Sequence, residues 1–407
     1  MIRPKIKHLR HPLRTAAAAR NLLSLYLGIR SFGDRGERRY SGDSRYDLMN
    51  VSKGFASRVE ESPADWNILE RICTAYIRAV RREQFEPEVY KASTWWRQIR
   101  LASLGPVMQA LHSRDIASLS RMYSNFYRDP CSMGLIGVPC GMTKAYFGRE
   151  IRDTHRRYFL SDALFGIDYW KAQTEDRYTL QVLAGPEIGN PFGLMLGNTL
   201  VRTGAVYQHY SAHKIASCLD AAKAIVVEFG GGFGGMAYYL LRDRTGVKYV
   251  DFDVPESLAL TSYYLMKSFP HLKFLLYGEG DRRSEALATA DVVLMPLFEM
   301  DSLASNGVDV VFSSHAMSNI SREMVSVYMK TIARIATGRF QYIGTADGAE
   351  AIRNFVAETQ LPLCLDEICA SGWSAHRHPH ENEVECHFTP IAARQASSAH
   401  SLATPGR

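Results

Sequence analysis

Two rhythms divide the chain. In the first half, apolar residues recur at helical spacing. From residue 224 onward, short β-branched runs alternate with helical patterns. Trp66, Leu69, Ile72, Cys73, Tyr76, Ile77 and Val80 predict one apolar helical stripe, with Ser62 as its N-cap and Pro63 at its first position. Trp95–Leu111 predicts a second helix, broken near Gly105-Pro106, and Ser113–Tyr127 a third. Residues 131–200 keep no steady period and are rich in glycine. A helix over Thr203–Leu219 leads into the alternating half. There the expected strands are Ala224–Phe229, Lys248–Phe252, Val308–Ser313 and Phe340–Gly344, closed by a hairpin of Leu361–Cys369 and Val384–Phe388. Helices are expected at Met236–Leu241, at Pro255–Ser268 and after Ser321, where Val325, Met329, Ile332 and Ile335 share a face. Either Leu272–Tyr277 or Asp291–Met295 supplies the third strand, the other being extra.

Strand–helix alternation of this kind predicts an α/β fold with a mostly parallel sheet. The expected layout is a disordered basic arm and linker over 1–60, a mainly helical region over 61–215, the alternating domain over 216–390, and a disordered Ala/Ser-rich tail over 391–407.

Charge changes this picture only at the N-terminus. Arg3, Lys5, Lys7, Arg10, Arg14, Arg20 and Arg30 face no acid within residues 1–30. The whole chain carries +6, so the remainder sits near −1. That balance excludes a body that binds nucleic acid by charge. The arm could rest on an anionic membrane surface, and solvation of a disordered arm is the plainer expectation. Seven cysteines without a C-x-x-C pair predict reduced thiols in a cytoplasmic protein. No apolar run reaches the roughly 18 residues of a membrane span. Nothing in the sequence fixes the oligomeric state.

The chemistry gathers at Glu228-Phe229-Gly230-Gly231-Gly232-Phe233-Gly234-Gly235, between a strand and a helix. Gly230, Gly232 and Gly235 satisfy G-x-G-x-x-G, with Asp251 about 20 residues on, as a dinucleotide site would have. Glu228 points elsewhere. A carboxylate two residues before the first glycine repels a pyrophosphate and suits a cationic ligand. S-adenosylmethionine (SAM), with an ammonium, a sulfonium and no phosphate, is such a ligand.

This glycine stretch, with Asp253-Val254-Pro255-Glu256, resembles the sugar O-methyltransferase family, a branch of the SAM-dependent class I methyltransferases. Glu187-Ile188-Gly189-Asn190-Pro191, Asp115–Leu119 leading to Asn125–Arg128, and Asp309–His315 extend the likeness over about residues 60–390. The resemblance implies a Rossmann-like methyltransferase domain with a seven-stranded sheet and an N-terminal mainly helical domain. It implies SAM as cofactor and a sugar or glycan hydroxyl as acceptor.

The expected site follows. Gly230, Gly232 and Gly234 let the backbone approach the cofactor, and Glu228 answers its positive charge. Asp253 or Asp251 takes the ribose, and the family likeness favours Asp253. Glu279 and Asp281 hold the adenine if Leu272–Tyr277 is strand three. Glu187, Asn190 and His213 border the acceptor. His315 is the candidate general base, because imidazole titrates near neutrality. Glu323 is the acid expected shortly after that strand. His376, His378 and His380 belong to a solvated or substrate-rim loop rather than a metal site, and no metal is expected. Two other readings remain open, a NAD(P)-dependent oxidoreductase and a non-catalytic SAM-binding scaffold.

Overall fold

The structure is a computed structural model. It describes residues 12–59, 66–138, 140–147, 151–219, 223–280, 288–318, 320–377 and 382–395. The N-cap assigned to Ser62 and the expectations for Asp281, His378 and His380 lie outside the described residues.

The alternating half folds as the pattern predicts. Strands β3 (Ala224–Phe229), β4 (Val247–Asp253), β5 (Phe274–Leu276), β6 (Val292–Pro296), β7 (Val308–Ser314), β8 (Ala336–Thr345), β9 (Leu363–Ala370) and β10 (Glu383–Pro390) form one sheet. Their order is β5-β6-β4-β3-β7-β8-β10-β9. Only β10 runs against its neighbours β8 and β9; the other pairs are parallel. Among the described residues the sheet has eight strands, where seven were expected. Both ambiguous runs are strands: β6 lies beside β4, and β5 is the extra one at the edge.

Side chains alternate across the sheet with period two. Val226, Tyr249 and Val310 join the core that holds helices α3 (Trp66–Glu83), α9 (Ala205–Ala216), α10 (Gly235–Asp243) and α11 (Pro255–Ser268). Val227, Val250 and Val311 face the other core, under α12 (Arg322–Ile335) and α13 (Ala346–Thr359). Helix starts follow local chemistry. Pro255 opens α11 after an extended Val254. Ser321 caps α12 by accepting from the Met324 N–H, and Thr345 caps α13 by accepting from the Gly348 N–H.

The first half departs from expectation in several places. The stretch over 94–113 breaks as expected near Gly105, into Thr94–Ile99, a wider turn at Arg100–Leu104, and Gly105–Ser113. Asp115 caps the next helix, Ile116–Tyr123. Residues 12–39 are not a disordered arm and linker: Pro12–Arg39 is one helix, α1. It packs along α8 (Asp153–Gln173), burying Ile29 and Phe32. Gly33 and Gly36, within the expected linker, are packing positions. A Cβ at Gly36 would meet Ser161 Oγ at 1.8 Å. On its exposed side α1 carries Leu23, Leu25, Tyr26 and Leu27. Helix α2 (Leu48–Gly54) follows, and the hairpin β1 (Gly193–Leu196) and β2 (Thr199–Arg202) lies within the stretch that showed no period. At the C-terminus, residues 391–395 are helical rather than disordered. Among the described residues, no helix is long and apolar enough to cross a membrane.

Candidate active site

The glycine turn links β3 to α10. Gly230, Gly232 and Gly234 all sit at positive φ, of 80°, 63° and 87°. Side chains avoid that backbone region and glycine does not. Space is closed as well at the first: a Cβ on Gly230 would meet that of Ala316 at 2.3 Å. Gly230→Ala is expected to lower stability by about 1–2 kcal/mol, read as a lower denaturant midpoint with an unchanged slope.

Four side chains pin the turn. The Gly231 N–H donates to Asp251 Oδ1 at 3.0 Å, and the Gly232 N–H to Asp253 Oδ2 at 3.3 Å. Thr261, on α11, donates to the Gly232 carbonyl at 2.6 Å, and the Ser257 hydroxyl, 2.9 Å from that carbonyl, shares its one proton between it and Asp253 Oδ2. The two acids that compete in the sequence therefore divide the labour. Asp251 is fully buried behind the turn, with Oδ2 lacking a hydrogen-bond partner among the described residues, and Asp253 opens on a cavity of about 310 Å³. Asp253 already accepts from the Val254 N–H, the Ser257 hydroxyl and the Gly232 N–H. Of roughly four acceptor sites on a carboxylate, about one stays free for a ligand.

Glu228 does not line that cavity. It is buried behind the turn, where the Tyr249 hydroxyl donates to its Oε2 at 2.5 Å. Burial, with the nearby Asp253 charge, pushes its carboxyl up to about 8. Burial likewise lifts Asp253 to about 6, and burial with the charges of Asp253 and Glu228 lifts Asp251 well above the carboxylate range. Near neutrality, then, Glu228 is mostly a protonated acid. An unfolded glutamate ionises around 4.5, so between about pH 4.5 and 8 the folded chain keeps a proton the unfolded chain has lost. Stability falls as pH rises through that window. Glu228→Gln keeps the neutral form and removes the loss. Its melting temperature, measured against wild type, should gain most at pH 8 and least at pH 5.

Across the cavity stands His315, just after β7, with its backbone N–H donating to the Ile343 carbonyl at 2.8 Å. Its side chain is half exposed, and its Nε2 lies 3.1 Å from Glu383 Oε2. Glu383, at the start of β10, is buried and also accepts from the Ser371 hydroxyl. Beside it, Tyr207 Oη and Ser314 Oγ are 2.5 Å apart, tying α9 to the end of β7. Trp95 and Trp96 form another wall of the same cavity. Trp96 is fixed by donating its indole N–H to buried Glu256, which also receives the Arg100 guanidinium.

Other expected site residues lie elsewhere. Because β6 comes between β4 and β5, Glu279 is two strands from Asp253, roughly 9–10 Å of sheet. Its carboxylate pairs with Arg71 and accepts from the Leu276 N–H. Apolar Leu297, after β6, lines the cavity instead. Glu323 is exposed in the first turn of α12 and does not line the cavity. Glu187 pairs with Arg58 at 3.5 Å. Asn190 is buried at a φ of 56°, accepting from the Arg58 N–H and donating to Asn125 Oδ1. Both hold a turn. His213 is 3.0 Å from the Tyr178 hydroxyl and is absent from the cavity wall. His376 is no rim residue: it is buried beside Asp162 at 2.6 Å and stacked on Phe165. Among the described residues, no group of three or more His, Cys, Asp or Glu is placed to hold a metal ion.

Glu383, Tyr207, Ser257 and Thr261 are the residues that sequence reasoning missed. Ser257 and Thr261 carried a signal, being one helical turn apart on the helix that Pro255 opens. Glu383 carried none.

No protein-family model matches the chain, and no curated protein matches its sequence. Solved structures match loosely. A mitomycin 7-O-methyltransferase aligns at 13% identity and a TM-score of 0.30, over 46% of this chain and 55% of that one. A geranyl diphosphate methyltransferase, solved with geranyl diphosphate and sinefungin, aligns at 10% identity and 0.31, over 44% and 76%. A SAM-dependent methyltransferase from Aquifex aeolicus aligns at 13% identity and 0.31, over 44% and 89%. The chain thus spans little more than half of the mitomycin enzyme's length. Likeness at this level says nothing of substrate.

Proposed function

We propose that this chain transfers a methyl group from SAM to a hydroxyl of a sugar or glycan. One observation carries the reading: the glycine turn, the Asp253 carboxylate and His315, which is paired with buried Glu383, open on one cavity. The residues fit the cofactor. Gly230 and Gly232 line the cavity as bare backbone, Asp253 keeps about one acceptor site for a ribose hydroxyl, and Leu297 offers an apolar face to an adenine ring. Glu228 and Asp251 beneath the turn suit a cation, because a nearby positive charge favours their ionised forms.

When bound, SAM supplies a methyl group activated on a sulfonium. The chain's own residues do the rest, chiefly by alignment and exclusion of water. Glu383 holds the imidazole proton of His315 on Nε2, which leaves the Nδ1 lone pair to receive the acceptor's hydroxyl proton. The buried carboxylate then steadies the imidazolium. Trp95, half exposed at the cavity, gives the C–H face of a sugar ring an apolar surface to lie on.

Incubation with methyl-labelled SAM and a panel of nucleotide-linked sugars, oligosaccharides, phenols and lipids tests the acceptor class. Label should appear in a sugar, with release of S-adenosylhomocysteine. Label confined to phenols or lipids would contradict the sugar assignment.

A further inference from the structure

A second cavity, about 730 Å³ and larger than the first, opens at the β5 edge of the sheet. Its floor is apolar: Val250 and Phe252 of β4, Leu275 of β5 and Val293 of β6. Phe252 also lines the glycine-turn cavity, so the two share a wall. The segment joining α3 to the tryptophans runs between them, with Phe85 on one cavity and Lys91 on the other.

The rim is cationic and aromatic. Arg78, Arg81 and Arg82 come from the end of α3, and beyond them Phe85 is 81% exposed. Two acids face them, Glu279 and Glu299. Glu279 is neutralised by Arg71, and Arg82 is paired with Glu86 at 2.5 Å. Arg78 donates to the Gly278 carbonyl. Arg81 has no hydrogen bond or ion pair among the described residues. Two guanidiniums thus meet the cavity without a carboxylate of their own, while Glu299 lies buried at its far wall.

Guanidinium pairs match phosphate oxygens bidentately. An apolar floor and an exposed phenyl ring suit a stacked base. The volume lies in the usual range for a small-molecule site. We propose that this cavity binds a nucleoside diphosphate, the carrier half of a nucleotide-linked sugar. The diphosphate lies against Arg78 and Arg81, and the base lies against Phe85 and the apolar floor. The shared wall at Phe252 directs the attached sugar toward the glycine-turn cavity. This assignment of an acceptor class rests on the methyltransferase reading, while the binding site itself does not.

The test is calorimetric titration of the full chain with UDP, GDP, ADP and dTDP, with inorganic pyrophosphate alongside. At least one nucleoside diphosphate should bind tenfold or more tightly than pyrophosphate. Arg78→Ala/Arg81→Ala, both exposed positions, should weaken that binding at least tenfold. Phe85→Ala should weaken the nucleotide and spare pyrophosphate. None of these changes should move the affinity for SAM or the melting temperature. Absence of nucleotide binding, binding untouched by the double arginine change, or pyrophosphate binding as tightly as every nucleotide would each overturn the proposal. Nucleotide binding without SAM binding would leave this site standing and remove the methyltransferase reading. SAM binding without nucleotide binding would do the reverse.

Discussion

Asp253→Ala should weaken the affinity for SAM by about 10- to 100-fold, the equivalent of one hydrogen bond to a charged group. The loss has two sources. The carboxylate presents its free acceptor site to the cavity, and it also holds the Gly232 N–H and the Ser257 hydroxyl in place. Removing it therefore takes away a ligand contact and loosens the turn that shapes the rest of the site. Asp253→Asn separates the two effects. It keeps an oxygen for the turn and loses the charge, so its affinity should fall between those of Asp253→Ala and wild type. Calorimetric titration reads both, with melting curves as the control for folding. An unchanged affinity in Asp253→Ala would remove this residue from the cofactor site.

The second large effect belongs to His315. Loss of a general base costs typically 10²–10⁴-fold in rate, and turnover of His315→Asn should fall by about that much. Asparagine is the right replacement because the residue sits at a φ of 60°, which asparagine tolerates. The affinity for SAM should stay within a few-fold, since the imidazole acts on the acceptor. Glu383→Gln should cost less, because glutamine can still accept from the Nε2 proton but cannot balance the imidazolium charge. Steady-state turnover with the acceptor found in the labelling panel measures both. Full turnover in His315→Asn would exclude it as the base.

Local chemistry made much of this legible in advance. The β3–turn–α10–β4 unit announced itself through a period-two apolar run, closely spaced glycines and an acidic strand end. Helix α11 was bounded correctly by Pro255 and the approach to Pro270. The failures were non-local. Phe274–Leu276 and Val292–Pro296 are both short apolar runs, and nothing local says which lies beside β4. That one ambiguity separates Glu279 from the cavity that Asp253 lines. Asn190 and Glu187 looked like ligand groups because their partners, Arg58 and Asn125, are distant in sequence. Gly33 and Gly36 read as linker because the helix α8 that requires their smallness was itself hidden. Helix α8 buries Tyr158, Phe159, Leu160, Leu164, Ile167 and Trp170 around much of its circumference, which blurs an amphipathic period. Glu228 shows a subtler limit. Its position was legible, but its burial against Tyr249, and hence its protonated state, belongs to the tertiary structure.

We propose that the glycine turn serves a cationic, phosphate-free cofactor. Titration of the purified chain with SAM, S-adenosylhomocysteine and NAD⁺ in one calorimetric series tests it most directly. Binding of the first two, with no heat from NAD⁺, is the predicted result. Binding of NAD⁺ alone would contradict the account and turn the same turn and Asp253 into a dehydrogenase's ribose site.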